Sequence, residues 1–249
     1  LAQNCAVWGL STSKVATDLI ASHDFTLLDI DLAQPLPSYL PQFDIVFALE
    51  PLAGTPQNLP HAPEISPKTK NIVSLAKTPP TKVFVFAEIS ASAEFYDFLV
   101  RGDPDLKKSL NLLLVGDLYG PLMPLDAAGL LNNLLTQAVK TDKVILEDEG
   151  LAPIYPAYIT DVIFAINKIV FAQNAKPVHF LVSESAKTAL TCAYEIQNAV
   201  SLTYGKQLGL FFSGAPGQTT QKPQILIRTH DLSFIPKVDL AQGLKNTLD

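Results

Sequence analysis

Runs of consecutive apolar residues, each closed by a glycine, a polar turn or a proline, recur along the chain. The clearest is Leu112–Val115, which ends at Gly116. A short, uninterrupted apolar run of this kind predicts a strand that is buried on both faces. Similar runs predict five further strands, at Asn4–Gly9, Phe25–Ile30, Gln42–Leu49, Lys82–Ala87 and Val178–Val182.

Segments with helical spacing of apolar residues alternate with these runs. They predict helices after the hydroxyl cluster Ser11–Ser13 and over Ser66–Ala76, Asp126–Thr141, Asp161–Ala172, Ser183–Val200 and Lys237–Leu248. Strands that alternate with helices predict an α/β fold, with a doubly wound parallel sheet and helices on both faces. The Gly-Pro break at 120–121 predicts a loop directly after the central strand.

Composition narrows the function classes. The chain has 249 residues, of which 48% are hydrophobic and 17% charged, so it can bury a large core. A net charge of −6 and a pI near 5.2 argue against nucleic acid or an anionic membrane surface as a partner. No apolar run approaches the length of a membrane span, and no leader pattern is visible, so we expect a cytoplasmic protein. Two isolated cysteines and four scattered histidines predict no metal site.

Several stretches, in order, resemble one family. Leu-Leu-Leu-Val-Gly-Asp-Leu-Tyr-Gly-Pro at 112–121 is similar to the "LR-x-GN-x-YGP" segment of the extended short-chain dehydrogenases/reductases, the NAD-dependent epimerase/dehydratase family. Tyr158–Val162 is similar to that family's "Y-V-D-D-V", and 237–248 to its closing segment. The resemblance implies a Rossmann-like dinucleotide-binding core over 1–117. It also implies that 118–249 adds the remaining core elements and a small C-terminal substrate-side subdomain, within one compact unit.

The resemblance places a cofactor, NAD or NADP, against the first strand and the turn that follows it. The candidate residues are Gly9, Ser11, Thr12, Ser13 and Asp29. Asp29 comes twenty positions after Gly9, where a dinucleotide fold has its ribose-binding acid. Only the first of the three family glycines is present, which makes close backbone approach to a pyrophosphate harder. The hydroxyl cluster could hold a phosphate at a helix N-terminus, and helix capping explains it equally well.

The catalytic residues of the family are largely missing. It uses a Ser or Thr just past the strand that ends at Ala87, and then a Tyr-x-x-x-Lys pair on a helix. The nearest candidates are Ser90 and Tyr96, but Val100 stands where the lysine should be. The sequence favours an interpretation of Tyr96 as an ordinary half-buried aromatic residue beside Phe95 and Phe98. Two classes therefore remain: a divergent nucleotide-sugar epimerase or dehydratase, and a non-catalytic relative, a pseudoenzyme, that senses a ligand or pairs with a partner subunit.

Substrate contacts are also reduced. The resemblance suggests Tyr119 and Arg228 as substrate-binding residues, with Arg228 as the best anion candidate, although a surface salt bridge explains that arginine too. Leu114 stands where the family has an arginine, and the chain has only two arginines in total. Asp161 is interpreted as a structural residue that caps its helix. The ligand implied is a nucleotide sugar, and the assembly implied is a homodimer or a partner-subunit complex.

Overall fold

The computed structural model describes residues 5–11, 25–49, 67–78, 80–89, 100, 105–124, 129–147, 149–172, 176–183, 185–214 and 235–249. The chain forms two compact units. The first comprises the described residues within 1–86 and 97–111, and the second those within 87–96 and 112–249. Helices alternate with strands, and most strand pairs are parallel, so the protein has the mixed α/β architecture that the sequence predicts.

The first unit contains two parallel strand pairs. Strand β1 (Val7–Ser11) pairs with β2 (Phe25–Asp29), and β3 (Ile45–Ala48) pairs with β4 (Lys82–Glu88), whose last two residues belong to the second unit. Helix α1 (Pro67–Ser74) continues into a 3-10 turn at Leu75–Lys77, and α2 (Leu106–Ser109) is a single turn. The rings of Phe47 and Phe84, which are register partners, stack with centroids 5.3 Å apart and tie β3 to β4.

The second unit contains four strand pairs and four helices. Strand β5 (Leu110–Val115), whose first two residues belong to the first unit, pairs in parallel with β10 (Val178–Leu181). Strand β6 (Asp117–Tyr119) pairs in parallel with β9 (Pro156–Tyr158), and β7 (Lys143–Glu147) with β12 (Gly209–Ser213). The antiparallel pair is β8 (Pro153–Ile154) with β11 (Lys187–Thr188). The helices are α3 (Leu130–Thr141), α4 (Ile159–Phe171), α5 (Ala189–Tyr204) and α6 (Leu240–Leu248).

Helices α3, α5 and α6 bury their apolar faces in one core with the short strands. Leu131, Leu134, Ile154, Ile196 and Leu244 are fully buried in it. Burial of a side chain of this size contributes about 1.5–3 kcal/mol relative to leaving it in water, so this core is the main stabilising element of the unit. None of the helices in the described part of the chain is long and apolar enough to cross a membrane.

The structure corrects the predicted start of α5. The sequence pattern placed that start at Ser183–Ser185, but the helix begins at Ala189. Residues 187–188 pair with β8 first, and the side chain of Thr188 then accepts a hydrogen bond from the backbone N–H of Thr191 at 3.1 Å. The helix therefore begins after Thr188 and not after the serines at 183 and 185, because pairing with β8 fixes the position of Thr188, which then caps the helix.

Two other predicted boundaries also move. The first strand continues through Gly9 to Ser11, so Ser11 ends a strand instead of opening a helix. The segment after Gly116 was predicted to be a loop, but Asp117–Tyr119 forms strand β6. Three residues are too few to give a visible alternation of apolar and polar positions, so this strand depends on contacts with β9 that are distant in sequence.

Candidate functional site

The carboxyl end of β5 is the best-defined candidate site in the second unit. The backbone N–H of Ile89 donates to the carbonyl of Val115 at 3.0 Å, so the chain just past β4 lies beside the end of β5. Gly116 follows, and a Cβ atom there would collide with the backbone carbonyl of Tyr155. Only glycine permits this close approach of two backbones. The carboxyl ends of parallel strands are the usual place for ligands in open α/β sheets.

Asp117 holds three segments together at this point. Its backbone N–H donates to the carbonyl of Tyr155 at 2.8 Å, and its Oδ2 accepts from the Tyr155 N–H at 3.2 Å. Its Oδ1 accepts from the N–H of Leu131 in the first turn of α3 at 3.4 Å. Gly129 precedes that helix with a φ of 115°, a conformation that a residue with a side chain rarely adopts. The carboxyl group therefore joins β6 to the β8–β9 connection and to the start of α3.

Burial raises the pKa of the Asp117 carboxyl above its ordinary value, and the negative charge of Glu88 raises it further. The backbone N–H donors act in the opposite direction, but the two bonds of 3.2 and 3.4 Å are long for bonds to a carboxylate. The removal of the carboxylate from water therefore outweighs them. A carboxyl with a raised pKa at a strand end can exchange a proton or hydrogen-bond a polar ligand, which makes Asp117 a functional-site candidate.

Neither Asp117 nor Glu88 was singled out from the sequence. The signal was present, because Glu88 directly follows one predicted strand and Asp117 follows the Gly116 that closes another, where ligand-facing side chains are expected.

Tyr119 lies in the core of the second unit. Its side chain is 2% exposed, and its ring packs against Tyr158 with centroids 5.4 Å apart. Gly243 of α6 lies directly against its hydroxyl. Burial raises the pKa of the Tyr119 hydroxyl well above its ordinary value, so the group stays neutral. Substrate binding by Tyr119 remains a prediction that this burial does not support.

The carboxyl ends of β1 and β2 form the candidate site of the first unit. The two strands are parallel, with Gly9 opposite Leu27 and Ser11 opposite Asp29. The backbone positions of Ser11 and Asp29 are therefore neighbours at the same end of the pair, and the Asp29 side chain is exposed. An exposed acid at this position is able to accept hydrogen bonds from the hydroxyl groups of a ribose.

The remaining predicted site residues fall outside the described residues. They are Thr12, Ser13, Ser90, Tyr96 and Arg228, together with the side chain of Ser11. Within the described ranges, no three His, Cys, Asp or Glu side chains are grouped so that they could hold a metal ion.

Comparison with solved structures identifies the fold. A UDP-glucuronic acid 4-epimerase from Bacillus cereus, solved with UDP-glucuronic acid and NAD, matches with a TM-score of 0.67 and 16% identity, over 93% of this chain and 83% of that chain. A Thermus thermophilus UDP-glucose 4-epimerase in complex with NAD matches with a TM-score of 0.69 and 14% identity, over 97% and 89%. The chain has the extended short-chain reductase fold.

A third structure of the same fold is the ADP-L-glycero-D-manno-heptose-6-epimerase of Helicobacter pylori, with a TM-score of 0.65 and 18% identity over 97% of this chain and 86% of that one. No protein-family model and no curated protein matches the sequence. The structural similarity establishes the extended-reductase fold. At identities this low it does not establish the activity, which has to be argued from the residues themselves.

Proposed function

We propose that the chain binds NAD or NADP and a nucleotide sugar, as a divergent relative of the NAD-dependent epimerases and dehydratases. The observation that carries this proposal is the register of β1 and β2, which puts the exposed Asp29 beside Ser11 at the carboxyl end of a parallel pair. Solved structures of the same fold contain NAD, and one contains UDP-glucuronic acid as well. The residues present fit the ribose end of such a cofactor.

Asp29 would bind the adenosine ribose through its carboxylate. The ribose 2′-hydroxyl of NAD donates a hydrogen bond to such an acid, whereas the 2′-phosphate of NADP is repelled by it. The proposal therefore favours NAD over NADP. The bound nicotinamide ring would supply hydride transfer, while Asp29 would only hold and orient the ribose.

Turnover is proposed to be absent or very slow, which makes a non-catalytic ligand-binding or partner-subunit role the second candidate. The observation that favours it is Val100, which stands where the resemblance expects a lysine and is only 2% exposed. A buried position would disfavour a charged ammonium even if a lysine were present. Without a neighbouring cation, the pKa of a tyrosine near 10 leaves little tyrosinate at neutral pH. We also propose a cytoplasmic location and a homodimer or partner-subunit complex.

Ligand titration tests the proposal. NAD(H) and NADP(H) would be added to the purified chain while its thermal unfolding and intrinsic fluorescence are followed. A ligand at 100 times its dissociation constant stabilises a protein by about 2.7 kcal/mol, which is readily visible in a melting curve. Stabilisation by NAD, and weaker stabilisation by NADP, is the expected result. No stabilisation by any of the four dinucleotides would refute dinucleotide binding.

A further inference from the structure

The strand pair β7 and β12 has one face in the core of the second unit and the other in solvent. Val144 and Leu146 of β7 are buried in that core, and the residues that alternate with them, Lys143, Ile145 and Glu147, are exposed. Successive side chains of a strand point to opposite faces, so these three form one row on the solvent face. Ile145, which is 50% exposed, is the middle residue. The row therefore has an apolar centre and opposite charges at its two ends.

Strand β12 adds an aromatic ring to the solvent face. Phe211 is the register partner of Ile145 and is likewise 50% exposed. Its ring lies over Gly209, where a Cβ atom would collide with the ring. The Lys143 ammonium is 5.9 Å from the ring centroid, so Lys143 and Phe211 share a face. We call the row Lys143, Ile145 and Glu147, together with Phe211, the β7 face.

Two properties of the β7 face indicate that it meets a partner. Ile145 and Phe211 are adjacent, apolar and half-exposed, whereas the exposed apolar residues that are normal on protein surfaces are scattered singly. In the part of the chain that the structure describes, neither Lys143 nor Glu147 takes part in an ion pair. They cannot pair with each other, because four residues of strand separate them by about 13 Å. The apolar centre and both charges are therefore left for contacts with another molecule.

We propose that the β7 face docks on the β7 face of a second copy of this chain, related by a two-fold axis that passes near Ile145. Such an axis makes the strands of one copy antiparallel to those of the other, and the same patch serves on both sides. Lys143 of each copy then lies opposite Glu147 of the other, while the apolar centres meet. Charge complementarity argues for this occupant, because a row with a lysine at one end and a glutamate at the other is its own complement once it is reversed.

The net charge of the chain restricts where two copies can meet. Each copy carries a net charge of −6, so most approaches of two copies bring like charges together. The β7 face carries one lysine and one glutamate and is locally neutral, so two copies can meet there without a net repulsion between the faces. A strongly acidic or strongly basic partner protein would match one end of the row and be repelled by the other. The charge pattern therefore favours a second copy over either kind of partner.

The size of the β7 face sets the expected strength of association. Two strands of five residues each cover about 17 Å by about 10 Å, whereas each partner in a stable interface buries about 800 Å². The dimer is therefore weak and reversible. This proposal gives a surface to the homodimer put forward under the proposed function, and it does not depend on the binding of a dinucleotide or a nucleotide sugar.

Sedimentation equilibrium of the purified chain, from about 10 μM to about 1 mM, tests the proposal. The wild type should show a reversible equilibrium between monomer and dimer. Lys143→Glu and Glu147→Lys should each weaken dimerisation about tenfold, because both symmetric ion pairs become like-charge contacts. The double variant Lys143→Glu/Glu147→Lys should recover most of this loss, and an equimolar mixture of the two single variants should form a heterodimer.

Two further variants separate the two faces of β12. Phe211→Ser should weaken dimerisation, whereas Phe212→Ser, which removes a 56% exposed ring from the opposite face of the same strand, should leave it unchanged. The mixture of single charge variants covers the case in which Phe211→Ser does not fold. A chain that stays monomeric throughout, a dimer that ignores both charge reversals, or a double variant no better than the single ones would overturn the proposal. None of these results bears on ligand binding, which the dinucleotide titration tests separately.

Discussion

Replacement of Asp161 should separate the C-terminal segment from helix α4. Asp161 lies in the first turn of α4 and is 6% exposed, and its Oδ2 accepts hydrogen bonds from the backbone N–H groups of both Lys237 and Val238, each at 2.9 Å. The sequence predicted a cap for its own helix, but the carboxylate holds a segment more than 70 residues away. It therefore fixes the approach to α6, whose own cap is the side chain of Asp239.

The magnitude follows from these two bonds. A hydrogen bond to a charged acceptor contributes about 1.5–3 kcal/mol, so losing both would cost about 3–6 kcal/mol if the donors stayed dry. Lys237 is exposed and Val238 half-buried, so water can reach the freed N–H groups. We therefore expect Asp161→Ala to cost about 3 kcal/mol, which for a chain of this size is a fall in Tm of about 6–12 °C.

Asp161→Asn is the informative partner variant. Because both donors converge on one oxygen, an amide oxygen placed there keeps both bonds and loses only the charge, which should halve the cost. Urea unfolding would give the free energies, and hydrogen exchange at Lys237 and Val238 would report the bonds themselves. Asp105→Ala removes an exposed carboxylate and serves as the control. Equal stability of the Ala and Asn variants, or of the Ala variant and the wild type, would refute this reasoning.

Four further predictions follow from the same physical arguments. Burial lowers the pKa of His179, 5% exposed, from 6.5 to about 4, so stability should fall by about 3 kcal/mol as the pH drops through that interval, and His179→Gln should lack this acid slope in urea unfolding. Gly243→Ala should cost up to about 2 kcal/mol net in chemical denaturation, because about 1–3 kcal/mol of overpacking against Tyr119 is set against a gain of about 1 kcal/mol in helix propensity. Asp29→Asn should weaken the preference for NAD over NADP in fluorescence titrations. Tyr96→Phe should change turnover on nucleotide sugars little in a product assay.

Each of these has a contrary result. An acid slope that persists in His179→Gln would assign it to other groups. In Gly205→Ala no atom lies near the added methyl group, but φ is +66°, so this variant should lose about 1 kcal/mol of stability through backbone strain alone. A shorter side chain at position 119 should therefore restore stability to Gly243→Ala and not to Gly205→Ala. Equal affinity of the wild type for NAD and NADP would remove Asp29 as the selecting residue. Robust activity that collapses in Tyr96→Phe would restore Tyr96 as the acid/base.

The fold was predictable because its strands are apolar runs with sharp ends. Leu112–Val115, closed by Gly116, is buried throughout, and Phe25–Asp29 lies where the sequence places it. Such strands are specified locally, by composition and by the residue that stops them. The three-residue strand at 117–119 and the parallel strand at 209–213 were missed, since each depends on a partner strand more than 35 residues away.

The candidate site was less predictable for a different reason. Asp29 follows from spacing alone, because a βαβ unit has a nearly fixed length. The raised pKa of Asp117 depends on the burial of its side chain and on the charge of Glu88 from another strand, and the residues next to Asp117 in the sequence predict neither. The same holds for Asp161, whose partners lie near residue 237.

The reciprocal bonds between Asp117 and Tyr155 have a consequence for insertions and deletions. Strands β6 and β9 pair over only three residues, so their ladder offers few backbone hydrogen bonds to resist slippage. The side chain and backbone of Asp117, both hydrogen-bonded to Tyr155, therefore fix the register of the two strands. A one-residue insertion between Tyr155 and Tyr158 would turn the Tyr158 ring from the core to the opposite face. Residues 155–158 should therefore tolerate conservative substitutions, whereas insertions or deletions there should destabilise the protein.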